Sequence, residues 1–330
     1  MYDIITFGSA TRDIFARSKE FKIVDNSSFL TGKGLAVGAG EKVYIEDLVF
    51  SSGGGGTNAA ATFALQEFNA AYVGLLGHDL AGREIVRELH KLGIFCDFIK
   101  IVNKAETPVS IVLSIPDGER TILVREGASH LLSEKDIPWD KIEKTKWFYI
   151  SGLAGESAKV FEPLIAFANK NKIKIAVNPG HDQLSNDLEI LKSLLDKIDV
   201  LIVNQEEASL ITDIDYKKED ELFKKFDDLI PGIAVMTKGP DGVSVSDGKN
   251  IYRAGIPESK IIDRTGAGDA FGSGFVSGIM EKDDIEYAIQ LGTANATSKV
   301  QQIGAKNGLL KKGEWGEWEK IQVNTSKINY

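Results

Sequence analysis

The sequence predicts an α/β protein: a central, mainly parallel sheet with helices on both faces, and a small β-sheet beside it. Three observations lead there. Short apolar runs recur along the chain. Stretches of helical period separate most of them. Two segments keep neither pattern. Apolar strands alternating with helices imply parallel βαβ units whose sheet is covered on both sides.

The first strand is the run 4–7, stopped by Gly8. Similar runs follow at 71–76, 147–150, 173–177, 200–203 and 233–237. Helical period fills 58–68, 81–92, 158–169, 188–195 and 219–229. Residues 15–50 hold no convincing helix, and within them 42–50 roughly alternates apolar and polar, as a strand with one wet face does. Residues 107–124 read as a strand, a Pro116-Asp117-Gly118 turn and a second strand, which is a β-hairpin. The two excursions are expected to form a lid, because closing a site expels water. The α/β body is assigned 1–14, 51–104 and 126–330, and the lid 15–50 and 105–125. The charged stretch 217–228 reads as the wet face of a helix. The tail from Lys311 offers no chemistry, and its Trp315 and Trp318 are expected to pack.

Composition narrows the function. The chain has 330 residues, against ~150 for a typical domain, which suggests two domains or one large one with an insertion. Apolar residues make up 43% and charged residues 26%, values that suit a folded enzyme and exclude a mostly disordered chain. The net charge of −9 argues against a binder that neutralises nucleic-acid phosphates and against docking on anionic lipid. Cys96 is the only cysteine, so an intrachain disulfide and a zinc site needing two cysteines are excluded, and a cytoplasmic location fits. The N-terminus lacks a basic n-region and a long apolar h-region, so no secretory signal is expected. No run of about 18 apolar residues occurs, so no membrane span is expected.

The strongest motif is Asp263-Arg264-Thr265-Gly266-Ala267-Gly268-Asp269, followed by a helix of small residues. Glycines flanking an alanine let successive N–H groups point one way, and the helix dipole adds positive charge, so Gly266, Ala267 and Gly268 suit an anion. Asp269 repels phosphate and is no ligand for it. It can take the proton of a hydroxyl that attacks a phosphoryl group. The plain alternative is a helix cap.

A second motif, 51–62, runs four glycines into a helix of small residues. Gly54, Gly55 and Asn58 suit close approach of backbone to a polyhydroxylated ligand. The dinucleotide fingerprint should follow the first strand, where only Gly8 stands, and no G-x-x-x-x-G-K-[ST] loop occurs. Asp13, just past the first strand, can accept from two hydroxyls. Asn204-Gln205-Glu206-Glu207 ends another strand, where Glu207 could hold hydrated Mg2+ and Asn204 could bond phosphate. Thr237, Gly239 and Gly242 lie in a turn that offers backbone donors. The four histidines have no metal spacing, and no G-x-S-x-G elbow occurs.

Together these residues resemble the ribokinase-like (PfkB) carbohydrate kinases. The Gly-Gly-x-x-x-Asn stretch at 53–58 and Gly-x-Asp-x-x-Gly at 77–82 are similar to that family's N-terminal signature, and 263–269 to its C-terminal one. Asn204–Glu207 resembles its N-x-x-E motif, and the likeness runs from about residue 3 to about 308. The resemblance implies a three-layer ribokinase-like fold with a β-sheet lid, and phosphorylation of a hydroxymethyl group by ATP. It implies Asp269 as base, with Gly266, Ala267 and Gly268 as anion hole. Asp13, Gly54, Gly55 and Asn58 would hold a sugar. Asn204, Thr237, Gly239, Gly242 and Asn295 would line the nucleotide site, with Glu207 near Mg2+. Many members use a monovalent cation such as K+, and Asp263, Thr265 and Gly304 fall where that ion would sit.

Ribokinases proper usually carry Lys where this chain has Gly55, and Glu after the strand that here leads into Ser151-Gly152-Leu153. Arg264 replaces the commoner Thr. The resemblance therefore implies a pentose, ketohexose or related sugar acid and does not select ribose. A nucleoside kinase of the same fold would need lid aromatics such as Phe15, Phe29 or Phe50 to stack a base. A non-catalytic sensor of sugar or nucleotide is the reading outside the enzymes, and the intact Asp269 loop argues against it. Lid edges can pair between subunits, which admits a homodimer through the lid.

Overall fold

The computed structural model describes residues 1–29, 32–115 and 120–328. Its strands, in chain order, are β1 (Ile4–Phe7), β2 (Thr11–Arg17), β3 (Lys22–Asp25), β4 (Lys33–Ala36), β5 (Asp47–Gly53), β6 (Ala70–Gly77), β7 (Ile99–Val102) and β8 (Val109–Ser114). There follow β9 (Arg120–Arg125), β10 (Trp147–Ile150), β11 (Lys174–Val177), β12 (Val200–Asn204), β13 (Ile233–Thr237), β14 (Val243–Ser246), β15 (Asn250–Ala254) and β16 (Val323–Lys327).

Among the described residues a large sheet runs β16-β15-β14-β13-β12-β11-β10-β1-β6-β7. From β13 to β7 every pairing is parallel, and β13 to β16 form an antiparallel edge. Strands β1, β6 and β10 are buried along their whole length. That is why they read as unbroken apolar runs: helices cover both faces of a parallel sheet. One core cluster holds Phe7, Phe148, Leu164 and Phe223, and another, including Tyr149, Phe271 and Phe275, lies under the pair of helices Ala267–Lys282 and Ile285–Lys299. Those two helices approach closely because a Cβ on Gly274 would stand 3.0 Å from the Gly292 Cα.

The chain leaves β1 toward β6 on one side and returns as β10 on the other. This reversal opens a crevice at the carboxyl ends of the strands, where open α/β sheets bind ligands. Gly8 and Ser151 end β1 and β10 there, and a Cβ on Gly8 would stand 2.8 Å from the Gly56 nitrogen and 2.9 Å from the Ser151 Cβ. The glycine loop is thus pressed onto the crevice.

The small sheet has the order β5-β2-β8-β9, with β3 and β4 as a separate hairpin. It is drawn from two excursions, as the sequence predicts. Its edges differ from the expected ones. Strand β2 begins at Thr11 and β5 runs on to Gly53, so the sheet reaches past both expected lid boundaries. Asp13 therefore belongs to the small sheet, opposite Ser51 and Ser110. Residues 42–46, expected in a strand, lie outside one, since pairing with β2 begins only at Asp47. Strands β8 and β9 pair antiparallel as a hairpin should. The predicted Pro116-Asp117-Gly118 turn lies outside the described residues. The tail was expected only to pack: Trp315 meets Tyr287 edge-on, and the tail also contributes strand β16 to the large sheet.

Candidate active site

The glycine loop is shaped by the carboxylates beside it. A Cβ on Gly53 would overlap the Asp13 carboxylate, and one on Gly55 would overlap Ser151 Oγ and come 3.2 Å from Asp269 Oδ1. Gly54 has φ of 93°, a left-handed backbone that suits glycine, and opens helix Gly55–Leu65. That helix places Asn58 in its first turn. Asn58 Nδ2 donates to Asp269 Oδ2 at 2.8 Å. Asn58 Oδ1 is buried and has no donor among the described residues. Asp13 is buried too, and desolvation raises its pKa against the opposing charge of Lys306.

Asp269 sits in the first turn of helix Ala267–Lys282, behind Gly266 with φ of 76°. Burial raises its pKa, while the Asn58 bond and the Lys306 charge lower it. Ala267 N–H donates to Arg264 O at 3.1 Å, so the expected anion hole loses that donor to its own turn. The N–H groups of Gly266, Gly268 and Asp269 make no bond to the described residues. Open N–H groups at a helix start favour an anion.

Two cavities meet at this helix start. One, of about 240 Å³, is lined by Asn204, Glu207, Thr237, Gly266, Gly268 and Asp269 among others. The next, of about 220 Å³, is lined by Thr237, Gly239, Gly242, Ile256, Phe271 and Ala296 among others. The first is polar and ends at the carboxylate. The second is largely apolar and suits a flat heterocycle. Asn204 and Glu207 close a reciprocal capping box, with Asn204 N donating to Glu207 Oε2 at 2.8 Å and Glu207 N to Asn204 Oδ1 at 2.9 Å. Burial raises the pKa of Glu207.

Asn295 does not line the apolar cavity, whereas the resemblance implied that it lines a nucleotide site. It is fully buried, donates to Ala270 O at 2.8 Å and Thr62 Oγ1 at 3.3 Å, and accepts from Leu310 N at 2.9 Å. Its helix turns about 100° per residue. The cavity is met instead by Thr293, Ala296, Thr297 and Val300.

Asp263, Thr265 and Gly304 do gather. Asp263 Oδ1 accepts from Thr265 N at 2.9 Å and Thr265 Oγ1 at 2.7 Å, and Asp263 Oδ2 from Gly304 N at 2.9 Å. Two cations already face that carboxylate: Arg120 of β9 at 3.2 Å and Lys299 at 3.6 Å. The cluster therefore does not fit the further monovalent ion that the resemblance suggested.

Four further residues at this site carry no role in the sequence expectations. Ser151 lies under Gly55. Lys306 is buried and donates to Ser52 O, Ser52 Oγ and Thr57 Oγ1 at 2.8–2.9 Å. Arg120 reaches the Asp263 turn from the small sheet. Lys299 supports the same turn from below, and its signal was present. Residues 288, 292, 295 and 299 follow helical spacing on the packed face of their helix, so a lysine there must be buried.

Fold and crevice define a small-molecule phosphotransferase. The chain belongs to the pfkB family of carbohydrate kinases, whose profile matches residues 1–312. It is 26% identical over 279 residues to the ribokinase of Lactococcus lactis subsp. lactis, a match covering 84% of this chain and 88% of that protein. It superposes on the structure of Arabidopsis thaliana ribokinase complexed with ribose and ATP, with a TM-score of 0.74, 21% identity and coverage of 94% and 96%. The adenosine kinase of Sinorhizobium meliloti gives a TM-score of 0.75, 23% identity and coverage of 92% and 95%. These likenesses establish the ribokinase-like fold. Among the described residues no helix is long and apolar enough to cross a membrane.

Proposed function

We propose that this carbohydrate kinase transfers the γ-phosphoryl of ATP to a hydroxymethyl group of a pentose, a ketohexose or a related sugar acid. The observation that carries the proposal is the pairing of Asn58 with Asp269 where the glycine loop meets the open N–H groups. Asp269 accepts the proton of the attacking hydroxyl. The N–H groups of Gly266, Gly268 and Asp269 face the charge that develops on the phosphoryl oxygens. Asn58 Oδ1, buried without a donor among the described residues, takes a sugar hydroxyl, and Asp13 accepts from others. The apolar cavity holds the base, and Thr237, Gly239 and Gly242 border it.

Glu207 fits a hydrated Mg2+, because its carboxylate borders the phosphate cavity and single carboxylates hold this ion through water. Bound there, the ion would neutralise phosphate charge. Closure of the small sheet excludes water, with Arg120 as its contact on the Asp263 turn.

The test is ADP release from ATP and Mg2+ with pentoses, ketohexoses, sugar acids and nucleosides. Turnover on a sugar supports the proposal. Turnover on nucleosides alone transfers it to nucleoside phosphorylation. ATP binding without turnover on any acceptor would favour a sensor.

A further inference from the structure

We propose that the ammonium of Lys299 is a built-in cation at the root of the 266–269 loop, in place of a bound monovalent ion, so that this kinase works without potassium. The proposal rests on the kinase reading only where activity is measured.

Lys299 is the last residue of helix Ile285–Lys299, and its side chain has no solvent exposure. Its Nζ donates to Asp263 O at 2.8 Å and Gln302 O at 3.4 Å, and lies 3.6 Å from Asp263 Oδ2. Two carbonyls and a carboxylate are what a bare monovalent cation would seek. An ammonium satisfies the same oxygens as a donor. A buried charge must be paired, and Asp263 supplies the pairing.

The charge count leaves no room for a second ion. Asp263 faces both Lys299 and Arg120. Among the described residues it is the only carboxylate in ion-pair contact with either. A potassium ion among these oxygens would meet two fixed cations at short range without further compensation.

The placement explains what the ammonium does. Ile262 N and Asp263 N donate to Val300 O at 2.7 and 3.0 Å, and Gly304 N to Asp263 Oδ2. A Cβ on Gly266 would stand 2.8 Å from the Ala305 Cβ. The turn before the anion hole and the turn beneath it are therefore fastened together, and Lys299 bonds to both. It is a positioning residue: it acts through the backbone of Gly266 and Gly268. A lysine cannot be exchanged with solvent as an ion can, so the support is permanent.

The experiment begins with the unaltered chain in buffers whose only cations are tetramethylammonium and Mg2+. Calorimetry gives the Kd for MgADP, and sugar phosphorylation gives kcat/KM for ATP, with and without saturating K+. Both are expected to stay within about twofold, whereas a gain of about tenfold on adding K+, the size of an ordinary coupling between two sites, would overturn the proposal. Crystals soaked in rubidium should show no anomalous peak between Asp263 O and Gln302 O. A peak there would also overturn it. Lys299→Ala opens the space: MgADP affinity should fall about tenfold and return on adding K+ or ammonium, with no such rescue in Lys299→Met, whose side chain fills the gap. A folded Lys299→Ala that binds MgADP like the unaltered chain in tetramethylammonium would refute the role. If that variant does not fold, the unaltered chain and the rubidium crystals still decide. If no sugar is phosphorylated, calorimetry and density decide alone, so failure of the kinase reading is distinguishable.

Discussion

Asn58 Nδ2 donates to Asp269 Oδ2 at 2.8 Å and so joins two residues 211 positions apart. The bond links helix Gly55–Leu65 to helix Ala267–Lys282. It fixes the orientation of the Asp269 carboxylate. If Asp269 is the base, Asp269→Asn keeps an acceptor for Asn58 but loses the basic oxygen. Turnover is expected to fall by about 10² to 10⁴, with ATP binding nearly intact. Steady-state kinetics beside calorimetric titration with ATP separates the two. Unchanged turnover would remove Asp269 from the chemistry.

The same pair sets a pH dependence. As a general base Asp269 would work only when ionised, and burial holds its pKa above the ordinary carboxylate value. The acid limb of kcat/KM should therefore lie at higher pH than a solvent carboxylate would give. Asn58→Leu deletes a bond to the ionised form, and the limb should move higher still. An unmoved limb would dissociate Asn58 from the base. Stability carries the opposite sign. A carboxyl whose folded pKa exceeds its unfolded one contributes stability below the unfolded pKa and loses it as pH rises through the folded pKa. Asp269→Asn should then raise Tm at neutral pH, and a fall in Tm would contradict this account.

Most of the fold was legible because its signals are local. The run Trp147–Ile150 and the helix Glu219–Leu229 have the predicted bounds, since each is set by its own apolar pattern. Asp269 and Gly54 were legible from glycines that only a special backbone requires. What could not be read was long-range partnership. Nothing near Lys306 in sequence announces that its ammonium will sit under Ser52 and Thr57. Asn295 was misplaced because its role depends on which neighbour each helix face meets. Asp13 could be singled out, but its place in the small sheet depends on pairing with Ser51 and Ser110.

Gly53 provides a test of sugar recognition apart from the chemistry. A methyl group there would overlap the Asp13 carboxylate, which would have to turn away. If Asp13 holds the sugar, Gly53→Ala should raise the KM for sugar by about tenfold or more, as loss of a charge-assisted hydrogen bond does. The KM for ATP should stay within about twofold, because that change removes binding at one site only. Equal rises in both would place the damage in the fold of the loop instead.

Lys306 should make activity and stability part company above neutrality. Its ammonium is fully buried, and desolvation pulls its pKa down to about 8 despite the nearby Glu88, Asp13 and Asp269. The charged form donates three bonds, to Ser52 O, Ser52 Oγ and Thr57 Oγ1, whereas the neutral amine can donate only two. Loss of the proton also removes a charge that favours ionised Asp13 and Asp269. So kcat/KM should decline as pH rises through about 8, and Lys306→Met should lack that limb while starting from a lower value. Its acid limb should shift upward, because the lowering effect on Asp269 is gone. Stability runs the other way. Between about 8 and the ordinary 10.5 the unfolded chain binds more protons at this residue than the folded one, so its contribution to stability rises with pH. Thermal melts and kinetics in the same buffers test this. After comparison with Lys306→Met melts to subtract other groups, this residue's effect on Tm should rise while kcat/KM falls. A fall in both would mean that the alkaline limb is unfolding and that Lys306 does not hold the glycine loop in its working shape.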